Sequence, residues 1–262
     1  MKINNLQTCS ISYSLTSKPT PEHFINHLHN EYELLFFLQG KTEIIVDSKT
    51  YKMKKGDLFI IKPAVYHMVK ILDKDFAYER YVLNFSSTFI PDSAKDFFEN
   101  CSDIYNFSEN SLIYNMLLEW KNLKGRHFLT EENEEAFSFS KTLLLLLSSQ
   151  KSEKTILPIK TNKTIEEIVK YIDEHPADKI TAESLAKIFF VSTSSITHSF
   201  KQHFGISLMN YVNKKRMLYA QRLIAGGFTP AEASEKLNIL DYSTFYRQYK
   251  KFLGVSPKNV RK

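Results

Sequence analysis

The sequence predicts an α+β protein with a strand-rich N-terminal part, a helical middle and an all-α C-terminal domain. Three observations carry this. Up to about Phe85, β-branched and aromatic residues come in short runs between turn signals; after Pro91, apolar residues recur at helical spacing. From Lys163 onward the pattern is helical throughout and repeats itself at an offset of 49 residues.

The strands come first in the chain. Tyr32–Gln39, Thr42–Val46, Asp57–Ile61 and Tyr78–Phe85 are bounded by Gly40-Lys41, Asp47-Ser48-Lys49 and Lys55-Gly56. Several short strands in succession predict a sandwich or small barrel rather than a parallel sheet. In the middle region, Leu112, Ile113, Met116, Leu117, Trp120 and Leu123 fall on one helical face, with Ser108 or Ser111 as cap. A second helix, roughly Glu131 to Ser149, begins acidic, which suits the helix dipole, and ends in the run Leu143 to Leu147. Being apolar nearly all round, that end must be buried, either on the barrel or in a dimer interface; both remain open. Lys151–Asn162, with Pro158 among Lys, Ser and Thr, reads as a linker.

Composition sets the class. With 262 residues, 43% hydrophobic and 24% charged, the chain suits two globular domains. Cys9 and Cys101 stand far apart and outside any CxxC spacing, so two reduced thiols in an intracellular protein are expected. The N-terminus lacks the apolar stretch of a signal peptide, and the five-leucine run is far short of the ~20 residues that a span needs. The expectation is a cytoplasmic protein with no membrane association. Charge is uneven. Residues 158–262 hold 17 Lys and Arg against 9 Asp and Glu, a balance of +8, whereas residues 1–157 hold 18 against 20, a balance of −2. The positive excess sits where a polyanion would be met.

The C-terminal repeat is specific. Phe200-Lys201 and Phe204-Gly205-Ile206-Ser207 are matched by Tyr249-Lys250 and Leu253-Gly254-Val255-Ser256; Ile196 matches Phe245, and Ser192 matches Asp241 as a second N-cap. In the first copy Thr181 opens a short helix whose Leu185, Ala186 and Ile188 are expected to face inward. After a turn, Ser192 caps a helix to Phe204 that offers Ser194, Thr197, His198 and Lys201 on its outer face. The second copy is Thr229–Leu237 followed by Asp241–Leu253, with Tyr242, Ser243, Tyr246, Arg247, Lys250 and Lys251 outward. Short helix, turn and second helix make a helix-turn-helix unit. Between the copies Leu208–Ala225 reads as one helix about 27 Å long at 1.5 Å per residue. That is near the ~34 Å of one DNA turn, so two outer helices could enter successive major-groove segments.

The segment Ile180–Lys262 resembles the AraC/XylS regulators over their whole DNA-binding domain. The resemblance rests on Leu185-Ala186, Val191-Ser192, Phe200-Lys201, Phe204-Gly205-Ile206-Ser207 and Arg216 with Ala220 and Leu223. It closes on Asp241-Tyr242-Ser243-Thr244-Phe245 and Tyr249 to Pro257. The chain departs from it at Asn238-Ile239, where the family has Gly-Phe, and at Ala233-Ser234, where it has Ile-Ala; Asn tolerates the left-handed backbone that such a turn needs. The resemblance implies base-edge contacts at Ser194, Thr197, His198, Tyr242, Ser243, Tyr246 and Arg247. Arg247 can pair bidentately with guanine. Lys201, Lys250 and Lys251 suit phosphates, which position without specifying.

In the N-terminal part, His27-Leu28-His29-x3-Glu33-x6-Gly40 has the spacing of the first cupin metal motif, and Gly56 to His67 that of the second. Pro63 is shifted by one, and Ala64-Val65 lack the usual glycine. Alternate strand positions point to one side, so His27 and His29 with Glu33 and His67 could form a three-His, one-carboxylate set. The preferred expectation is a pocket lined by His27, His29, Tyr32, Glu33, Phe36 and His67 that receives a small effector, with no metal, cofactor or catalytic residue.

The organisation expected is a cupin-like sensor barrel over 1–90, a helical dimerisation region over 91–150, a linker over 151–162 and a DNA-binding domain over 163–262. The partners expected are double-stranded DNA, a second copy of the chain, a small effector, and RNA polymerase if the protein activates. Two other readings stay open: a cupin metalloenzyme with an accessory DNA-binding tail, and a non-specific architectural DNA protein.

Overall fold

A computed structural model describes residues 9–20, 28–109, 111–119, 134–150 and 156–258. The chain forms two compact units, Met1–Lys160 and Thr161–Lys262.

The first unit is strand-rich and cupin-like. It contains β1 (Cys9–Thr16), β2 (Tyr32–Gln39), β3 (Thr42–Val46), β4 (Lys49–Lys52), β5 (Asp57–Ile61), β6 (His67–Ile71), β7 (Tyr78–Phe85) and β8 (Ile104–Asn106). One antiparallel sheet has the order β1-β7-β2-β5-β8. The other has β6-β3-β4, with the two-residue strand β9 (Lys160–Thr161) last. The four strands expected from the sequence have the bounds predicted; β1, β4, β6 and β8 were not foreseen. The Asp47-Ser48 turn is tighter than expected. Asp47 takes a left-handed φ of 47°, and Lys49 already pairs with Val46. Gly56 is required where it stands: its φ is +86°, and a Cβ there would come within 2.7 Å of the Phe107 carbonyl oxygen.

The central strand β2 is buried along almost its whole length, which explains its near-continuous apolar run. Its two faces belong to different cores. Leu35 and Phe37 pack between the sheets with Ile44, Val46, Phe59, Ile61, Val69 and Val82. Tyr32, Leu34, Phe36 and Leu38 pack on the other face, against helices. Those helices are α1 (Lys95–Asn100), α2 (Leu112–Glu119), capped by Ser111, and α3 (Glu134–Ser149). Trp120, Leu123 and residues 131–133 lie outside the described residues. The leucine run of α3 answers the question of burial in favour of the barrel: Leu143, Leu144 and Leu147 enter the same core as Leu34 and Phe36, while Leu145 is exposed. Each such leucine contributes about 1.5–3 kcal/mol. The span 91–150 is thus not wholly helical, since β8 joins the sheet beside β5. In 151–162, the Ile159 amide donates to the Thr50 carbonyl, so that end of the expected linker is tied to the barrel. Cys9 and Cys101 are buried free thiols.

The second unit contains α4 (Lys163–Glu174), α5 (Ala182–Ile188), α6 (Thr193–Phe204), α7 (Leu208–Ala225), α8 (Pro230–Lys236) and α9 (Tyr242–Leu253). In α4, Ile165, Ile168, Val169 and Ile172 bury one stripe under an Asn162 cap. Ring contacts among Phe200, Phe204 and Tyr211 join α6 to α7. Met217, Ala220, Ile224, Ala233, Leu237, Phe245 and Tyr249 form the core of the second half. Leu185 and Ala186 face inward as expected, but Ile188 is exposed. It lies about 120° around the helix from Ala182, which with Leu185 and Ala186 forms the buried stripe. Among the described residues no helix is long and apolar enough to cross a membrane.

Candidate functional site

Each copy of the repeat builds a recognition helix in the same way. Thr181 and Thr229 form capping boxes with Ser184 and Glu232, starting the short helices α5 and α8. The turns that follow pass through left-handed residues, Phe190 (φ 54°) and Asn238 (φ 54°), so Asn238 does take the conformation foreseen for it. Ser192 then caps α6 through the Ser195 amide, and Asp241 caps α9 through the Ser243 and Thr244 amides. Both helices end on left-handed glycines, Gly205 (φ 70°) and Gly254 (φ 74°).

The outward faces match the sequence expectation. On α6, Ser194, His198 and Lys201 are exposed. Thr197 is half-buried, and its hydroxyl donates to the Thr193 carbonyl at 2.8 Å. On α9, Tyr242, Ser243, Arg247, Lys250 and Lys251 are exposed and Tyr246 is half-buried. Arg247 donates through Nη2 to Thr244 Oγ1 at 3.2 Å, close to the capping Asp241 carboxylate. That uses one of five guanidinium donors and holds the side chain over the start of α9. The structure adds Ser195 and Gln202, both exposed on the α6 face. Gln202 was legible from Lys251, its partner at the 49-residue offset. The departure at Ala233-Ser234 is also explained. Ser234 is buried, and its hydroxyl donates to the Ile239 carbonyl at 2.7 Å, so a hydrogen bond stands where the family's alanine would only pack.

In the barrel, the expected pocket divides. Glu33 Oε2 is 3.0 Å from His29 Nε2 and 3.4 Å from His67 Nε2. Tyr32 and Phe36 are on the opposite face of β2. Tyr32 stacks on Phe85 and meets Phe98, and Phe36 meets Tyr114. The reason is the two-residue period of a strand: odd and even positions from 32 to 36 cannot share a face. His27 lies outside the described residues. Asn84, which the sequence reading missed, pairs with Glu33 across the β2–β7 ladder; only strand register reveals it.

The three remaining groups form an unusual set of acceptors. His29 Nδ1 lies 2.9 Å from the Glu31 carbonyl oxygen and His67 Nδ1 lies 3.1 Å from that of Val65. Carbonyls only accept, so both Nδ1 atoms carry hydrogen, and a neutral ring turns its Nε2 lone pair toward the Glu33 carboxylate. The three ligand atoms lie within 4.8 Å of one another. Such a group needs positive charge in its midst, either a proton on an imidazole or a bound cation. Burial alone would raise the Glu33 pKa, but the adjoining imidazoles, when a second proton lets them donate to it, hold the carboxyl well below its ordinary range. Burial likewise opposes charge on His29, yet the neighbouring Glu33 carboxylate raises its pKa overall. Two imidazoles and one carboxylate also fit a divalent transition metal. His29 is the member that solvent reaches, its side chain 25% exposed.

Comparison with known proteins agrees with both halves. A helix-turn-helix domain family matches residues 185–262, and a cupin domain family matches residues 16–77. An uncharacterized HTH-type transcriptional regulator of Escherichia coli K12, YdiP, is 25% identical over 246 residues, covering 90% of this chain and 80% of that protein. An uncharacterized response regulatory protein of Staphylococcus epidermidis is 31% identical over 98 residues, which are 37% of this chain and 39% of that protein. The crystal structure of ToxT from Vibrio cholerae aligns over 97% of this chain and 96% of its own at 14% identity, with a TM-score of 0.40. The chain thus joins a cupin-type domain to a helix-turn-helix domain and is similar over most of its length to an HTH-type transcriptional regulator, in keeping with its resemblance to the AraC/XylS regulators.

Proposed function

We propose that the chain is a cytoplasmic, sequence-specific regulator that reads two successive major-groove segments with α6 and α9 and takes a signal at its barrel. The observation that carries this is the duplicated recognition helix: two capped twelve-residue helices at an offset of 49 residues, each with a polar outer face, in the half of the chain with a balance of +8. Ser194, Thr197, His198, Tyr242, Ser243, Tyr246 and Arg247 are assigned to base edges, and Lys201, Lys250 and Lys251 to phosphates.

The test is binding at physiological salt to the upstream region of its own gene, and to sites selected from random DNA, against scrambled duplex. A preference of at least ~10³, largely lost in Arg247→Ala, is the expected result. Equal binding to every duplex would make the protein an architectural DNA binder instead.

The barrel is proposed to sense rather than to catalyse, with His29, Glu33 and His67 as the receiving group. Their convergence as acceptors supports a signal that brings positive charge or hydrogen-bond donors. Zn²⁺ added to chelator-treated protein is expected to raise the thermal midpoint of wild type and not of Glu33→Gln; a shift in neither would leave a donor-bearing organic effector as the reading. A homodimer, and contact with RNA polymerase if transcription is activated, complete the proposal. Sedimentation with and without DNA tests the first.

A further inference from the structure

The second unit contains a set of polar ties that α6 and α9 do not need for their own folding. Arg216, on the central helix α7, reaches in two directions. Its Nε donates to the Pro176 carbonyl at 3.3 Å, in the loop that leads into the first helix-turn-helix unit. Its Nη2 donates to the Leu237 carbonyl, at the end of α8 in the second. Next to it, Asn238 Nδ2 donates to the Ala177 carbonyl at 3.2 Å. Lys215, buried one residue before Arg216, holds Asp173 at the end of α4 at 2.7 Å.

One strip of backbone, 176–177, is therefore bonded to the turn of the other unit, 237–238, both directly and through one guanidinium. We propose that Asn238 and Arg216 are positioning residues that fix the separation between the two recognition helices, and hence the number of base pairs allowed between the two DNA segments. Asn238 is the informative member. Its left-handed φ of 54° asks only for a residue that tolerates that conformation, and glycine would do so at lower cost. What asparagine adds is a side chain, and that side chain is spent on the loop that leads into the first helix-turn-helix.

The physical consequence is one of tethering. Two readers held rigidly at the matching separation act with the highest effective concentration on a site of that spacing and lose most of it on any other. Two readers joined loosely accept several spacings at a lower peak affinity. Removing a tie should thus broaden spacing tolerance without altering which bases each helix prefers.

This inference rests on the reading of α6 and α9 as the base-contacting helices, and the experiment separates the two. Full-length wild type, Asn238→Gly and Arg216→Lys are each used to select sites from random duplex DNA, after thermal denaturation has confirmed folding. Asn238→Gly keeps the turn and loses the tie; Arg216→Lys keeps the charge and loses the two-way fork. Wild type should return two boxes at one spacing. Asn238→Gly should return the same boxes at spacings spread by at least a base pair, with its preference for the native spacer over one a base pair longer reduced about fivefold. Arg216→Lys should broaden the spacing further. Identical fixed spacing in all three proteins would overturn the inference while leaving the two-reader proposal intact. If wild type enriches no sequence, the two-reader proposal falls and the inference with it.

Discussion

At Glu33 a single carboxylate sits at the second position of β2, just before an apolar run, 5% exposed and flanked by two imidazoles. Removing one partner of a buried pair costs ~3–5 kcal/mol; with His29 a quarter exposed, Glu33→Gln is expected to destabilise the first unit by about 2 kcal/mol at neutral pH. Equilibrium urea unfolding followed by Tyr fluorescence checks this, and an unchanged midpoint would mean that the three groups are not coupled. At Ser234 the expectation is smaller. Ser234→Ala restores the family's residue but strips the Ile239 carbonyl of its 2.7 Å partner, for a loss of about 1 kcal/mol. How much of the site was legible divides along the same lines. The spacing of Glu33 and the histidines in the sequence pointed to a cluster, but assigning Tyr32 and Phe36 to it ignored strand parity. Asn84 depends on which strand lies beside β2, and nothing local encodes that.

The elements of the second unit were readable because their signals are local. Caps, left-handed glycines and helical stripes each act within one or two turns, and Leu208–Ala225 has the bounds expected of it. Strands β1, β4, β6 and β8 escaped because a strand draws its stability from its partner. CSISYSLT alternates serine with apolar residues and is a strand because β7 lies beside it over eight residues. The cap of α9 makes its own prediction. Hydrogen bonds from Thr244 and Ser243 hold the Asp241 carboxyl below its ordinary value of 3.8. The stability that its charge contributes is present above that value and is lost as pH falls through the lower folded-state value. Thermal midpoints measured between pH 5 and pH 3 should fall less steeply for Asp241→Asn than for wild type. Asparagine can still cap the helix, so at pH 7 the two should differ little.

Across the whole molecule, function follows the division of charge: +8 over 158–262 against −2 over 1–157. Binding should weaken with salt on a log–log slope of about −0.9 per phosphate neutralised. Lys250→Ala should flatten that slope by about one unit while leaving the selected sequence unchanged. Arg247→Ala should do the reverse, altering which sequence is preferred at nearly the same slope. A titration over 50–200 mM salt distinguishes them. The unit Thr161–Lys262 has its own core around Met217, Phe245 and Tyr249, so expressed alone it should unfold cooperatively and retain the DNA preference.

The two cysteines provide a means of timing the first unit. Burial pushes the Cys9 thiol up to about 12 and the Cys101 thiol to about 11. At neutral pH the reactive thiolate of Cys9 is then only about 10⁻⁵ of the population. Alkylating reagents and mild oxidants should leave the native protein untouched until the barrel opens. The rate at which a thiol probe labels Cys9 is therefore a clock for that opening, and any signal received at the barrel should change its pace.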